Sequence, residues 1–180
     1  LKIENSCGLV VDYGFSNTII NVKKNYVYDS KEMEESLLYQ DVYNIVCKMN
    51  KNNRYTYKVK NCHDVVAYLM ILMNHKCAEE MSKQQQGLFR SMSFSKTYNS
   101  KDITDNEEIQ QFLNNWHSSG GNYNKYEDLK KHEALNLDKY LHITSPIRRL
   151  VDLLNIIKMQ NIMKITELSD SALEFYDDWT

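Results

Sequence analysis

The sequence predicts an α+β fold in which helices dominate and pack on a mixed or antiparallel sheet. Separate stretches place apolar residues at three- and four-residue steps, the spacing of a helix face. Residues 8–28 are rich in β-branched and aromatic side chains with a glycine-containing break, which is typical of strands. A hydrophobic content of 42% in 180 residues, without a repeat or long linker, predicts a single domain over residues 1–180.

The N-terminal elements follow from local patterns. Residues 8–28 predict two strands. Apolar positions then recur helically from Glu35 to Met49, with Ser30 or a neighbour as the expected cap, and this predicts a helix. After a polar turn, the alternation at residues 55–59 predicts a short strand.

A second helix is predicted from Asp64 to Met81. Residues 91–131 read as loop and weak helix, with a break at His117, and residues 135–143 as strand or extended chain. The stretch Pro146–Met163 is apolar on nearly every side, which predicts a buried helix. The predicted core stripe of the second helix consists of Val66, Met70, Met73, Cys77 and Met81.

Charge and composition limit the function classes. The net charge of −2 means that a grip on nucleic acid requires a local basic patch. The four cysteines contain no CxxC pair, so we expect the cytoplasm or another reducing compartment. The longest apolar run, Val65–Met73, is far short of the roughly 20 residues that span a bilayer, so no membrane segment is expected. Because the chain does not begin with Met, we expect a piece of a longer polypeptide.

The segment from Tyr140 to Leu153 carries the chemistry. Ser145 is a good N-cap and Pro146 suits the first helical position, so a helix start is predicted here. Free amides at that end, with Arg148 beside them, would form a phosphate site. The alternative is that Arg148 pairs with Asp152 and Arg149 is a solvated surface charge.

The same segment resembles the signature of the RNB exoribonucleases, the ribonuclease II family. Its string Thr-Ser-Pro-Ile-Arg-Arg, followed by Asp-Leu and preceded by Tyr-x-His, is the most specific match. Further landmarks agree in order, so that the resemblance covers about residues 10–165 and corresponds to the C-terminal half of the RNB domain. These landmarks are Ile20–Asp29, Val65–Ala78, Leu88–Arg90, and His132 with Leu135.

The resemblance implies a magnesium-dependent enzyme that hydrolyses RNA from the 3′ end. In that scheme Arg148 would act catalytically by steadying the scissile phosphate. Tyr28 would stack on a terminal base, although it is equally compatible with a half-buried strand tyrosine. The remaining residues implied in RNA binding are Tyr140, His142, Thr144, Ser145 and Arg149.

The sequence also departs from the family. Its Asp-rich, metal-binding motif is not present in these residues, so no Mg²⁺ ligand can be identified. The family's Glu-Glu pair is replaced by Ala67 and Tyr68. The acids that remain do not reproduce the motif's spacing and are interpreted as surface residues: Asp12, Asp102, Asp105, Asp177 and Asp178.

Two hypotheses remain open. The chain is part of an active exoribonuclease whose N-terminal half lies elsewhere, or it is a degenerate, non-catalytic RNB-like module of a large complex or viral particle. The expected partners are single-stranded RNA and either the missing half or other protein chains.

A zinc site is a further candidate near the start of the second helix. Cys62, His63 and Asp64 are adjacent there, and His75 and Cys77 lie further along the helix. Their spacing matches no closed four-ligand set. We therefore expect Asp64 to cap the helix and Cys77 to fill the core.

Overall fold

The computed structural model describes residues 1–4, 6–16, 18–51, 54–94, 104–116 and 121–178. His117 and Asp102, for which loop and surface positions are predicted, lie outside these ranges. Contacts divide the chain into two compact units, Leu1–Leu72 and Met73–Thr180, which are described separately. The single partial domain over residues 1–180 stays a prediction.

A short hairpin begins the first unit. Strand β1 (Lys2–Glu4) pairs antiparallel with β2 (Leu9–Asp12). Gly8, which precedes β2, has φ +74°, and a Cβ atom on it would lie 2.5 Å from the backbone carbonyl carbon of Lys48. Because this turn lies so close to the helix that contains Lys48, its position requires glycine.

Two predicted strands of the first unit are wrong. Residues 18–27, where the second strand was expected, have no regular secondary structure, and neither do residues 55–59. Ile19 and Ile20 are largely exposed. Strand propensity reflects packing on a half-buried pleated surface, and within the described part of the chain these β-branched residues pair with no strand.

The helix predicted from Glu35 is present as α2 (Leu37–Met49), and a one-turn helix, α1 (Lys31–Glu34), precedes it. Ser30 caps α1 rather than α2, because its Oγ accepts a hydrogen bond from Met33 N at 3.4 Å. The Ser30 signal therefore marked a real helix start, one short element earlier.

Helix α3 (Cys62–Lys83) begins two residues before the predicted start. Asn61 Oδ1 accepts from Asp64 N at 3.1 Å, and Asp64 Oδ2 accepts from Asn61 N at 3.3 Å. This reciprocal pair is a capping box with Asn61 as the N-cap and Asp64 three residues later. Asp64 thus stabilises the helix start as predicted, as the second member of the pair.

The predicted core stripe of α3 is only partly correct. Cys77 and Met81 are fully buried, whereas Val66 and Met73 are exposed. Apolar residues lie all around α3, so their spacing alone does not identify the face that packs. The other buried apolar positions on α3 are Cys62, Val65, Tyr68, Leu72 and Ala78.

The second unit combines a small sheet with the C-terminal part of α3 and, in the described ranges, three further α-helices. Strand β3 (Phe89–Ser91) pairs antiparallel with β4 (Asn122–Asn124). Residues 135–143 contribute isolated bridges instead of a full strand, including Leu141 with Phe89. The helices after α3 are α4 (Glu107–Trp116), α5 (Leu150–Ile162) and α6 (Asp170–Asp178). Helices with antiparallel sheets confirm the α+β class.

A small core lies between β3 and the last two helices. Leu88, Leu154 and Tyr176 are buried together, with Val151 packed against them.

The helices that the structure describes include none with both the length and the apolar character of a membrane span. All four cysteines are free thiols.

The predicted helix start at Pro146 is wrong, because α5 begins at Leu150. The amides of Arg148 and Arg149 both donate to Ser145 O at 3.2 Å, which closes a turn over residues 146–148. Arg149 then has extended backbone angles, φ −136° and ψ 118°. One extended residue thus separates the turn from the helix.

Candidate functional site

Two buried asparagines fix the path of residues 140–149, called here the motif loop. Asn74 of α3 accepts a hydrogen bond from Ile143 N through Oδ1 at 3.1 Å. Asn155 of α5 donates from Nδ2 to His142 O at 2.9 Å and also bonds the backbone of the residue before β3. Because both side chains are fully buried, water does not compete for these bonds. The motif loop is therefore held rigidly from two helices.

A third anchor is the buried ion pair of Arg149 and Asp152. Arg149 Nε donates to Asp152 Oδ1 at 2.6 Å and Nη2 donates to Oδ2 at 2.9 Å. Asp152 Oδ2 also accepts from Ser145 N at 2.8 Å. The carboxylate is 0% exposed and the arginine side chain 24% exposed. The hydrogen bonds that Arg149 donates to Asp152 raise the pKa of Arg149, so its guanidinium stays charged.

The sequence alternative, in which Arg148 pairs with Asp152 and Arg149 is a solvated surface charge, has the two arginines the wrong way round. Arg149, and not Arg148, is the partner of Asp152. Arg148 is exposed, and its side chain has one hydrogen bond to another described residue, from Nη2 to Ser145 Oγ at 3.4 Å. By helix geometry the first amides of α5, at Leu150 and Val151, have no acceptor inside the helix. The Arg148 guanidinium, with its single long hydrogen bond to Ser145 Oγ, lies two residues ahead of a helix start.

Aromatic rings and a third arginine border the motif loop. Tyr123 of β4 shares a 2.7 Å hydrogen bond with His142 Nδ1. The Arg90 guanidinium lies 5.3 Å from the centre of the Tyr123 ring, and Arg90 N donates to Tyr140 O at 2.7 Å. Burial lowers the pKa of His142 to about 4, and the charges of Arg149 and Arg90 act in the same direction. His142 is thus a neutral ring in a positive environment at pH 7.

Two of the predicted RNA-binding residues face inward. Tyr140 is buried, and its hydroxyl accepts from Asn74 Nδ2 at 2.9 Å. The Thr144 hydroxyl oxygen is shielded from solvent and has no hydrogen-bond partner among the described residues. In this geometry both residues shape the motif loop, and their contact with RNA stays a prediction.

Tyr28 belongs to the first unit, whereas the other predicted site residues belong to the second. It lies in a turn and is 49% exposed, so it is half-buried but does not lie in the strand that the alternative interpretation expected. Its ring stacks on His63 with centroids 4.2 Å apart and an interplanar angle of 15°. Asp29 forms hydrogen bonds with both Cys62 and His63. Both bonds lower the pKa of Asp29, and the bond with Cys62 has the larger effect.

The described residues do not fit a magnesium site. Mg²⁺ requires oxygen ligands in near-octahedral geometry. Where the structure describes the chain, one group of three potential ligands lies close together, namely Asp29, Cys62 and His63. That group offers a single carboxylate together with a thiol and an imidazole, which is the wrong donor set for magnesium.

Sequence reasoning missed several residues that build the site. Asn155 carries a readable signal, because it is a polar position among apolar neighbours in the first half of α5. Tyr123 gives no such signal, since it reaches His142 only through the pairing of β3 with β4. Arg90 was noticed as a landmark but not as a neighbour of the motif loop.

Comparison with protein families matches the RNB domain over residues 30–164. That range includes the motif loop, its three anchors and the Cys62 end of α3. A search of curated proteins found no match.

Proposed function

Since the chain belongs to the RNB-domain family, which is related to ribonucleases, we propose that it binds the 3′ end of single-stranded RNA through the motif loop. Arg148 contacts a backbone phosphate in this proposal. The observation that carries it is the division of roles between adjacent arginines: Arg149 is bound to Asp152, while Arg148 faces solvent beside a helix start.

The electrostatics support a phosphate at this position. The Asp152 carboxylate is neutralised by Arg149, so it does not repel an incoming anion. Arg148 presents several donors in a fork that matches phosphate oxygens, and the partial positive charge of the α5 start adds to it. Ser145 Oγ, which already touches Arg148, lies within reach of the same ligand.

Aromatic residues supply the base contacts in this proposal. Tyr28 has its ring backed by His63 on one face, and His142 is a neutral ring held by Tyr123. Stacking on rings tolerates any base, which suits binding without sequence preference. Within the second unit, Tyr140, Thr144 and Arg149 serve the motif loop by fixing its path.

We extend the proposal to activity: these 180 residues bind RNA without hydrolysing it. Magnesium, when bound in this family, activates the attacking water, and the described residues do not fit a magnesium site. Ala67 and Tyr68 stand where the family carries two glutamates. Neither side chain supplies a carboxylate.

Binding is tested by fluorescence anisotropy with a 5′-labelled single-stranded oligonucleotide. Arg148→Ala should weaken binding at least tenfold and leave the melting temperature unchanged. Arg148→Lys keeps the charge but loses the fork, so an intermediate loss is expected. The charge-matched control is Lys130→Ala, an exposed lysine outside the motif loop. Equal losses of affinity in Arg148→Ala and Lys130→Ala would show that Arg148 contributes only general electrostatic attraction and makes no specific phosphate contact.

The 3′-end preference and the lack of hydrolysis need separate measurements. A circular RNA of the same sequence should compete at least tenfold less well than the linear form, and equal competition would contradict end recognition. Incubation of the labelled RNA with Mg²⁺ should give no shortening from the 3′ end. Release of nucleoside monophosphates would show that these residues suffice for catalysis. A chain that binds no RNA would instead favour the non-catalytic structural module.

A further inference from the structure

Three different metal-binding side chains meet at the start of α3, in the first unit. The Cys62 thiol donates to Asp29 Oδ1 at 3.1 Å, and His63 Nε2 lies 3.1 Å from Asp29 Oδ2. The thiol sulfur, an imidazole nitrogen and a carboxylate oxygen all lie within 4.8 Å of one another. Residues 33 positions apart in sequence are thus brought together.

The backbone and a neighbouring ring position each of the three groups. Asp29 lies in the turn with φ +58°, a left-handed conformation, and its carboxylate contacts Cys62 and His63 of α3. Cys62 is the first residue of α3 and is buried, so its thiol has a fixed place. The stacked ring of Tyr28 holds the imidazole plane of His63.

We propose that Asp29, Cys62 and His63 bind a divalent cation of the zinc class. Thiolate and imidazole are donors that select zinc and similar borderline-soft ions over magnesium or calcium. The side chains of Asp29 and His63 are 62% and 57% exposed, so water has access to the fourth position. The site therefore has three protein ligands and one open position, facing outward from a buried sulfur.

The separations are close to those that zinc requires. Bonds of about 2.0–2.3 Å in a tetrahedron place neighbouring ligand atoms roughly 3.3–3.6 Å apart. The two 3.1 Å contacts are near this value, and the remaining separation, between the sulfur and the imidazole nitrogen, is 4.8 Å at most. On binding, Cys62 releases its thiol proton to solvent, and the ion replaces the two hydrogen bonds that now reach Asp29.

The alternative is a hydrogen-bonded tether between the Asp29 turn and α3. Two conservative variants separate it from a metal site. Cys62→Ser keeps a hydroxyl donor for Asp29 but removes the thiolate. His63→Gln keeps an N–H donor but removes the imidazole. Both variants preserve a tether and destroy the proposed ligand set.

Cobalt(II) is the probe, because a thiolate ligand gives it a charge-transfer absorption that Zn²⁺ abolishes on displacement. The reduced, metal-free 180-residue chain is titrated with Co²⁺ and then with Zn²⁺. The wild type should show the band at a 1:1 ratio, Cys62→Ser should lose it, and His63→Gln should bind at least tenfold more weakly. Cys7→Ser, which alters an exposed cysteine of the same unit, should behave as wild type.

Thermal melting provides a second measurement that does not depend on colour. Zn²⁺ should raise the melting temperature of the wild type and of Cys7→Ser, but not that of Cys62→Ser, since only a binding-competent native state is stabilised. No band in the wild type, or a band that persists in Cys62→Ser, overturns the proposal. Arg148→Ala should keep the full band, so failure of RNA binding and failure of the metal site are distinguishable.

Discussion

Arg149→Ala should destabilise the chain strongly, whereas Arg148→Ala, one residue away, should not. The reason is the burial of Asp152, which is 0% exposed and accepts two of its three hydrogen bonds from Arg149. Removing one partner of a buried ion pair costs about 3–5 kcal/mol. Arg149 is 24% exposed, so water can enter the gap, and we expect about 2–4 kcal/mol.

The assay is urea unfolding followed by circular dichroism at pH 7, with the free energy of unfolding taken from linear extrapolation. In thermal melts the same loss lowers the melting temperature by roughly 2–4 °C per kcal/mol for a chain of this size. Arg148→Ala should stay within about 0.5 kcal/mol of wild type, as for most surface substitutions. It is the matched control, because it removes the same side chain from the same loop.

A double variant tests the cause of the loss. Arg149→Met combined with Asp152→Leu removes the buried charge along with its partner, so it should recover part of the stability that Arg149→Ala loses. Similar free energies of unfolding for Arg148→Ala and Arg149→Ala would refute the assignment of distinct roles. So would a double variant that is less stable than Arg149→Ala.

Three further predictions concern the anchors, the histidine and the phosphate contact. Asn155→Leu leaves the Leu88 backbone and His142 O without their buried partner, and should lower the free energy of unfolding by about 2–4 kcal/mol in urea; a loss below ~1 kcal/mol would contradict its anchoring role. The folded-state pKa of His142 is depressed to about 4, so as the pH falls the unfolded chain binds the proton first. The contribution of neutral His142 to the free energy of unfolding is therefore full above pH 6.5 and is lost towards pH 4. Because the ring is partly open to solvent, we expect a reduced effect: between pH 6.5 and pH 4 the free energy of unfolding of His142→Asn should fall by about 1–2 kcal/mol less than that of the wild type. Identical pH profiles of the two proteins would argue against this assignment. Loss of one phosphate contact in Arg148→Ala should reduce the slope of log K against log salt by about 0.7, measured by anisotropy at several salt concentrations, whereas an unchanged slope would exclude the contact.

The helices α2 and α3 could be predicted because their signals are local. Apolar spacing found both, and Ser30 and Asp64 marked real helix starts. The strand expected before Tyr28 could not be predicted reliably from such local signals. A strand forms only when a partner supplies hydrogen bonds and a surface to pack on, and that partner is not encoded in the segment itself.

The motif loop shows how a local signal can mislead. Ser145 followed by proline suits a helix start, but here the pair begins a turn, because Asp152 takes the Ser145 amide and Arg149 is extended. The sequence allowed Asp152 to pair with either arginine, four or three residues earlier. The extended backbone of Arg149 decided the outcome. The meeting of Asp29 with Cys62 depends on tertiary structure and left no pattern in the sequence.

The three anchors of the motif loop share one property: each binds a main-chain atom. Asn74 holds Ile143 N, Asn155 holds His142 O and Asp152 holds Ser145 N. The path of the loop is therefore maintained without the exposed side chains of Ile147 and Arg148. In evolution such a loop can exchange its surface residues one at a time while its shape is inherited unchanged.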